Sequence, residues 1–177
     1  MEEFLDVLDQ NGNKIGRKEP RTIIHKDGFW HRAVFVVIVN SKNQILLQKR
    51  GPDKESHPNC WDISVAGHIP AGKDSLTTAK NELKEELGLN AETNELSLLF
   101  SYKHGVVLND GKFLNNSWYD IYLLKRDLAV EDINLQAEEL SEVEWFEIDD
   151  LKQELKNQNQ NFVSHISYPK LFKILRS

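Results

Sequence analysis

The stretch Gly67–Leu89, GHIPAGKDSLTTAKNELKEELGL, constrains this chain more than any other. Its second half predicts a helix from near Asp74 to Leu87, stopped by Gly88. On a helix of about 3.6 residues per turn, Glu82, Glu85 and Glu86 fall at i, i+3 and i+4 and share one face. Leu76, Ala79, Leu83 and Leu87 form an adjacent apolar stripe suited to packing on a sheet, with Lys80 and Lys84 on the solvent side. Carboxylates so placed repel one another by a few tenths of a kcal/mol per pair unless something neutralises them. A hard divalent cation does so, because Mg²⁺ takes oxygen ligands and shares one or two carboxylates with substrate phosphates. The plainer reading of the same spacing is a solvated acidic face.

The rest of the chain reads as strands around that helix. Phe4–Leu8 and Lys14–Arg17 flank a turn at Asp9-Gln10-Asn11-Gly12-Asn13 and predict a hairpin. Pro20 opens a short helix that Gly28 breaks. Ala33–Val39, AVFVVIV, predicts a strand buried on both faces, and Gln44–Lys49 the second strand of the same hairpin. Gly51–Asn59 is a polar loop, and Trp61–Val65 is short and extended. Strands are expected at Leu96–Lys103, Trp118–Leu124 and Val143–Ile148, with His104–Asn116 as a connecting loop. A helix opened by Asp149 or Asp150 and an amphipathic helix over Tyr168–Arg176 complete the pattern. Strands on both sides of one central helix suit a mixed sheet between helices.

At 177 residues the chain is long enough for one domain with a real core. A net charge of −6 argues against nonspecific binding to a nucleic-acid polymer, which needs a basic face. Cys60 is the only cysteine, consistent with a reducing cytoplasm. The start, MEEFLDVLDQ, lacks the basic and apolar regions of a signal peptide. The longest apolar run, Ala33–Val39, falls far short of the roughly 20 residues of a membrane span, so no membrane partner is expected.

The frame around the glutamates resembles the Nudix box, G-x5-E-x7-R-E-U-x-E-E-x-G-U, with U aliphatic. Gly67, Glu82, Leu83, Glu85, Glu86, Gly88 and Leu89 stand in register, while Lys73 replaces the family's Glu and Asn81 its Arg. The resemblance implies an α/β fold, the Nudix α/β/α sandwich with a mixed β-sheet between helices. It also implies a single Nudix domain over 1–177, with the box at 67–89, the N-terminal hairpin within 1–18 and the C-terminal helix over about 168–176. In the family the two replaced side chains steady the loop and helix, so the loop here must be held another way.

Outside the box the chain resembles the branch close to isopentenyl-diphosphate isomerase. His25 and His31 match two histidines before the first core strand, Arg50 and Lys54 an Arg and a Lys after the second, and Tyr102 a tyrosine of the isomerase site. Ala66-Gly67-His68 stands where the isomerase has Cys-Gly-His, and Asn115 and Ser117 stand in place of two glutamates. An alanine methyl transfers no proton, and Cys60 lies in a different loop. The acid–base pair for allylic isomerisation is therefore missing, together with two ligands of the isomerase's second metal site. The diphosphate-binding parts remain.

Each assignment has a plainer counterpart. His25 and His31 are second-metal ligands or simple surface or strand-start residues; His68 contacts substrate or packs the loop; Arg50 and Lys54 bind a diphosphate or are solvated. Glu138 and Glu139 supply a base or form an acidic loop, Trp61 packs the core, and Phe162 lines a pocket or caps the core. The leading expectation is a Nudix hydrolase in which Glu82, Glu85 and Glu86 hold Mg²⁺ (or Mn²⁺). One of these or Glu138/Glu139 takes water's proton, and Arg50, Lys54, Tyr102 and His68 bind a small-molecule diphosphate. The rivals are an isopentenyl-diphosphate isomerase and a non-catalytic diphosphate-binding module. A homodimer is compatible with the pattern and not required by it.

Overall fold

The computed structural model describes residues 2–176. Strands β1 (Phe4–Leu8) and β2 (Lys14–Pro20) form an antiparallel hairpin, its turn tied by the Asn11 and Asn13 amides donating to Asp9 Oδ1 at 2.8 and 2.9 Å. Pro20 precedes α1 (Arg21–Asp27), and Gly28 ends it in the left-handed conformation at φ 71°. The remaining strands are β3 (His31–Val39), β4 (Gln44–Arg50), β5 (Trp61–Ile63), β6 (Val65–His68), β7 (Leu96–Leu108), β8 (Phe113–Lys125) and β9 (Leu140–Glu147). Helices α2 (Ser75–Leu87), α3 (Ile148–Lys156) and α4 (Tyr168–Leu175) cover the faces.

The sheet runs β5-β4-β3-β8-β7, with β6 also on β3 and β9 also on β4. It is mixed: β3 and β8 are parallel from His31↔Ser117 to Val39↔Lys125, and the other pairs are antiparallel. Because side chains alternate across a strand, β3 divides its residues between two cores. Val34, Val36 and Ile38 pack with Ala79, Leu83 and Leu87 of α2; Phe35, Val37 and Val39 pack with Ile148 and Leu151 of α3 and Leu171 and Phe172 of α4. The result is an α/β/α sandwich. No helix among the described residues is long and apolar enough to cross a membrane.

Three local expectations change. First, β3 and β4 pair only at Val39↔Ile45 and then separate. Buried Ser64 bridges the gap, its hydroxyl donating to the Leu46 carbonyl at 2.5 Å and accepting from the Ile38 amide at 2.9 Å. Backbone groups that the split would orphan are thereby satisfied, and the chain crosses from β5 beside β4 to β6 beside β3 at that residue. Second, His104–Asn116 is not a loop: β7 and β8 pair through it from His104↔Ser117 to Leu108↔Phe113, around a turn at Asn109–Gly111. Polar residues mark this stretch because the hairpin projects beyond the core, yet its backbone ladder is complete and Asn116 Nδ2 anchors it to the Gly28 carbonyl at 2.7 Å. Third, α3 starts at Ile148, with Asp149 and Asp150 inside its first turn, where carboxylates favour the helix dipole.

Leu83 joins α2 to β3 with no exposed surface. Leu83→Ala is expected to cost about 2–5 kcal/mol of unfolding free energy, measured by urea denaturation. A loss below about 1 kcal/mol would mean that helix docking does not depend on this stripe.

Candidate active site

Asp74 caps α2 by accepting from the Thr77 amide at 2.9 Å, and Gly88 ends the helix at φ 69°. These stops set the rotation of the helix and hence its carboxylates. Glu85 is exposed, Glu82 half-buried, and Glu86 only 5% exposed. Glu82 lies directly on the backbone of β6: a Cβ added to Gly67 would come 2.2 Å from Glu82 Cδ. Glu86 accepts from the Ala66 amide, while its Oε2 is buried without a hydrogen-bond partner. Burial, reinforced by Glu82, pushes Glu86 up to about 8. Burial, reinforced by Glu85, pushes Glu82 up to about 7.

The end of α2 also brings in the second acidic pair. The Asn134 amide donates to the Leu87 carbonyl at 3.2 Å and the Gln136 amide to the Glu86 carbonyl at 3.0 Å, satisfying helix-end acceptors. The Gly51 amide then donates to the Glu139 carbonyl at 2.8 Å, joining this segment to the loop that carries Lys54. Lys54 Nζ is ion-paired with Glu139, and burial followed by the Arg50 charge lowers its pKa. Arg50 is more committed than expected. Its Nε donates to the Ser56 carbonyl, Nη1 to Asp62 Oδ2 at 3.0 Å and Nη2 to Ser56 Oγ, which leaves one N–H on each Nη for a ligand.

All these groups face one cavity of about 580 Å³. Glu82, Glu85, Glu86, Glu138 and Glu139 line it together with Arg50, Lys54, His68 and Tyr102. Tyr102 stacks on Tyr119 at 5.1 Å between ring centroids, and burial pushes its hydroxyl pKa up. Ala66 is in the wall. Cys60 is not among the lining residues; its thiol donates to the Gln160 carbonyl at 3.3 Å.

A family model for the NUDIX domain matches residues 29–166. The chain belongs to the Nudix family. It is 41% identical to Nudix hydrolase 3 of Arabidopsis thaliana, an alignment covering 99% of this chain and 23% of the plant protein, so the chain spans about a quarter of that relative's length. It is 30% identical to an isopentenyl-diphosphate Delta-isomerase of Serratia proteamaculans, over 92% of this chain and 86% of that one. Among solved structures, DR0079 of Deinococcus radiodurans superposes with a TM-score of 0.68 at 21% identity, covering 98% of both chains. The NUDIX domain of Shewanella oneidensis NrtR, solved with ADP ribose, superposes with a TM-score of 0.56 at 17% identity, over 81% of this chain and 84% of that one. At these identities the two structures speak for the fold.

Within the Nudix box, Lys73 and Asn81 are exposed. The N-terminal hairpin holds the loop instead. The Ala71 amide donates to the Phe4 carbonyl at 2.7 Å, the Gly72 amide to Asp6 Oδ2 at 2.9 Å, and Lys14 pairs with Asp6 at 2.7 Å.

The isomerase-like histidines are not surface residues. His25, His31 and His68 converge with ligand atoms within 4.8 Å of one another, and His25 and His31 are 4% and 0% exposed. Burial first, then neighbouring positive charge, lowers His25 and His31 to about 4 and His68 well below its ordinary value. Three neutral imidazoles have the donor chemistry for a borderline transition metal. At the isomerase's carboxylate positions, however, Ser117 Oγ lies 2.8 Å from His31 Nε2 and 2.7 Å from Asn115 Oδ1, so a hydroxyl and an amide fill that side.

Two cavity residues carry no sequence signal of their own. Asp62 follows Trp61 in a strand of three residues, and His165 sits in a connecting segment before α4. They meet at 2.6 Å. Trp61 and Phe162 both pack against Phe146 at the edge of the core.

The raised carboxylates set a pH dependence. A folded-state pKa above the unfolded value means that the native state holds extra protons, so the associated stability is present below the unfolded pKa and is lost as pH rises through the folded one. For Glu82 and Glu86 the window runs from about 4.5 to about 8. Asp62, held at about 2, acts only below it. His25, His31 and His68 act in the opposite sense below their ordinary 6.5, because the native state binds fewer protons there than the unfolded chain. In chelator, the melting temperature should therefore fall from about pH 6.5 to about pH 8, and Mg²⁺ or Mn²⁺ should restore it most at the alkaline end. A flat profile without a divalent response would rule out a desolvated carboxylate pair.

Proposed function

We propose that the protein is a metal-dependent hydrolase of an organic diphosphate, in which water attacks phosphorus and releases X-phosphate and a second phosphate product. The observation that carries this reading is the buried, unpartnered Glu86 Oε2 at the cavity wall beside Glu82 and Glu85. An all-oxygen donor set with an orphaned buried atom fits a hard divalent cation. Glu82, Glu85 and Glu86 would hold Mg²⁺ or Mn²⁺, which when bound supplies charge neutralisation and a more acidic water.

The chain's own residues account for binding. Lys54, now paired with Glu139, exchanges that carboxylate for a substrate phosphate, and the free N–H groups of Arg50 donate to the same diphosphate. Tyr102 and His68 border the bound group, and Val106, Leu108, Phe113 and Ile166 give X apolar neighbours. Glu138 and Glu139 flank the phosphate end. Cys60 is a free thiol, in keeping with a reducing cytoplasm.

The test is a panel of ADP-ribose, UDP-glucose, diadenosine tetraphosphate and isopentenyl diphosphate with Mg²⁺ or Mn²⁺, read by phosphate-containing products and their mass. Wild type is expected to cleave at least one. Glu85→Gln and Glu86→Gln should lower turnover by at least about two orders of magnitude while the fold survives. Near-normal turnover in both variants, or allylic isomerisation of isopentenyl diphosphate without hydrolysis, would overturn the reading.

A further inference from the structure

Outside the carboxylate cluster, the same cavity contains a second constructed unit. His165 Nε2 lies 2.6 Å from Asp62 Oδ1, and the other oxygen of Asp62 accepts from Arg50 Nη1 at 3.0 Å. Asp62 is 3% exposed and the His165 side chain 14% exposed, so the pair is set in the wall with the imidazole edge reaching the cavity. The ring has two aromatic neighbours. Phe35 packs against it at 4.8 Å and Tyr168 at 5.4 Å between centroids. The titratable neighbours are Asp62 on β5, Arg50 on β4, His57 in the preceding loop and Tyr168 on α4.

We infer that His165, oriented by Asp62, is the proton acceptor for the attacking water. The inference rests on the hydrolase reading above. A carboxylate hydrogen-bonded to one imidazole nitrogen fixes the tautomer and leaves the other nitrogen with its lone pair free. Here Asp62 takes Nε2–H, so Nδ1 is the base. Burial alone would raise the Asp62 pKa, but the charge that His165 carries once protonated and its hydrogen bond, followed by Arg50, hold it at about 2, so this carboxylate is ionised before and after the imidazole takes the proton. The other candidate bases are less suited. Glu138 is exposed, Glu139 loses its one orienting partner when Lys54 turns to the substrate phosphate, and in the reading above the three box glutamates would hold the cation. Arg50 links the two functions, since one carboxylate holds both the phosphate-binding guanidinium and the base.

The step balances within the substrate, water and this residue. The water oxygen forms a new P–O bond, and the bridging P–O bond breaks with its electron pair leaving on the departing phosphate. Water's proton passes to His165 Nδ1, and the imidazolium returns it to solvent.

The experiment uses wild type over residues 1–177, His165→Gln, His165→Ala and Asp62→Asn, with each panel compound that wild type hydrolyses. His165→Gln should lower kcat by about 10²–10⁴-fold with KM little changed, and should remove the limb of log kcat against pH that rises through neutrality. Imidazole in the buffer should restore part of the activity of His165→Ala. Nitrogen-15 NMR of labelled histidine should find the proton on Nε2 in wild type and redistributed in Asp62→Asn. If Asp62→Asn does not fold, the two His165 variants decide the matter. Retention of the neutral limb in His165→Gln, a loss confined to KM or melting temperature, or a proton on Nδ1 would overturn the role of His165 alone. Absence of turnover by wild type across the panel would overturn the hydrolase reading and this role with it.

Discussion

The structure depends on the burial of β3 on both faces. Its odd and even residues serve different cores, Val34, Val36 and Ile38 toward α2 and Phe35, Val37 and Val39 toward α3 and α4. Fully burying side chains of this size stabilises by about 1.5–3 kcal/mol each, so this one strand fastens both helical layers to the sheet. It also sets the site. Pairing with β6 from Ala33↔His68 to Val36↔Val65 places Ala66, Gly67 and His68 at the cavity, and α2 then lies close enough for Glu82 to touch the Gly67 backbone.

That packing produces a cavity in which groups of the same type behave in opposite ways. Glu82 and Glu86 are pushed toward neutrality because burial and repulsion by a neighbouring carboxylate, Glu85 for Glu82 and Glu82 for Glu86, act together. Asp62, removed from water at least as fully, is held ionised because His165 and Arg50 contact its two oxygens. The difference lies in the partners and not in the depth. A buried carboxylate without a cation is costly, and one between two donors is a fixed negative anchor. The three converging histidines follow the first pattern, shedding protons because burial, and then neighbouring positive charge, disfavours the imidazolium.

Much of this was legible in the residues. The i, i+3, i+4 glutamates, the stop at Gly88 and the continuous apolar run of β3 are local signals, and each corresponds to an element where the pattern put it. The projecting β7–β8 hairpin was misread because its polar residues resemble a loop, although the backbone ladder through it is unbroken. Replacement of the usual box residues at Lys73 and Asn81 called for another support, but nothing local points to Asp6, which is 66 residues from the Gly72 amide it accepts.

Periodicity, turn residues and motif spacing are properties of neighbours along the chain. The sequence by itself therefore determined the helix, its carboxylate face, the doubly buried strand and the family they belong to. Which carboxylate would be orphaned, which arginine donors would remain free, and that His165 would meet Asp62 across 103 residues were decided only by the tertiary structure. The reason is physical: protonation, desolvation and hydrogen-bond partnership depend on which groups exclude water from one another, and that is set by packing between segments distant in the chain.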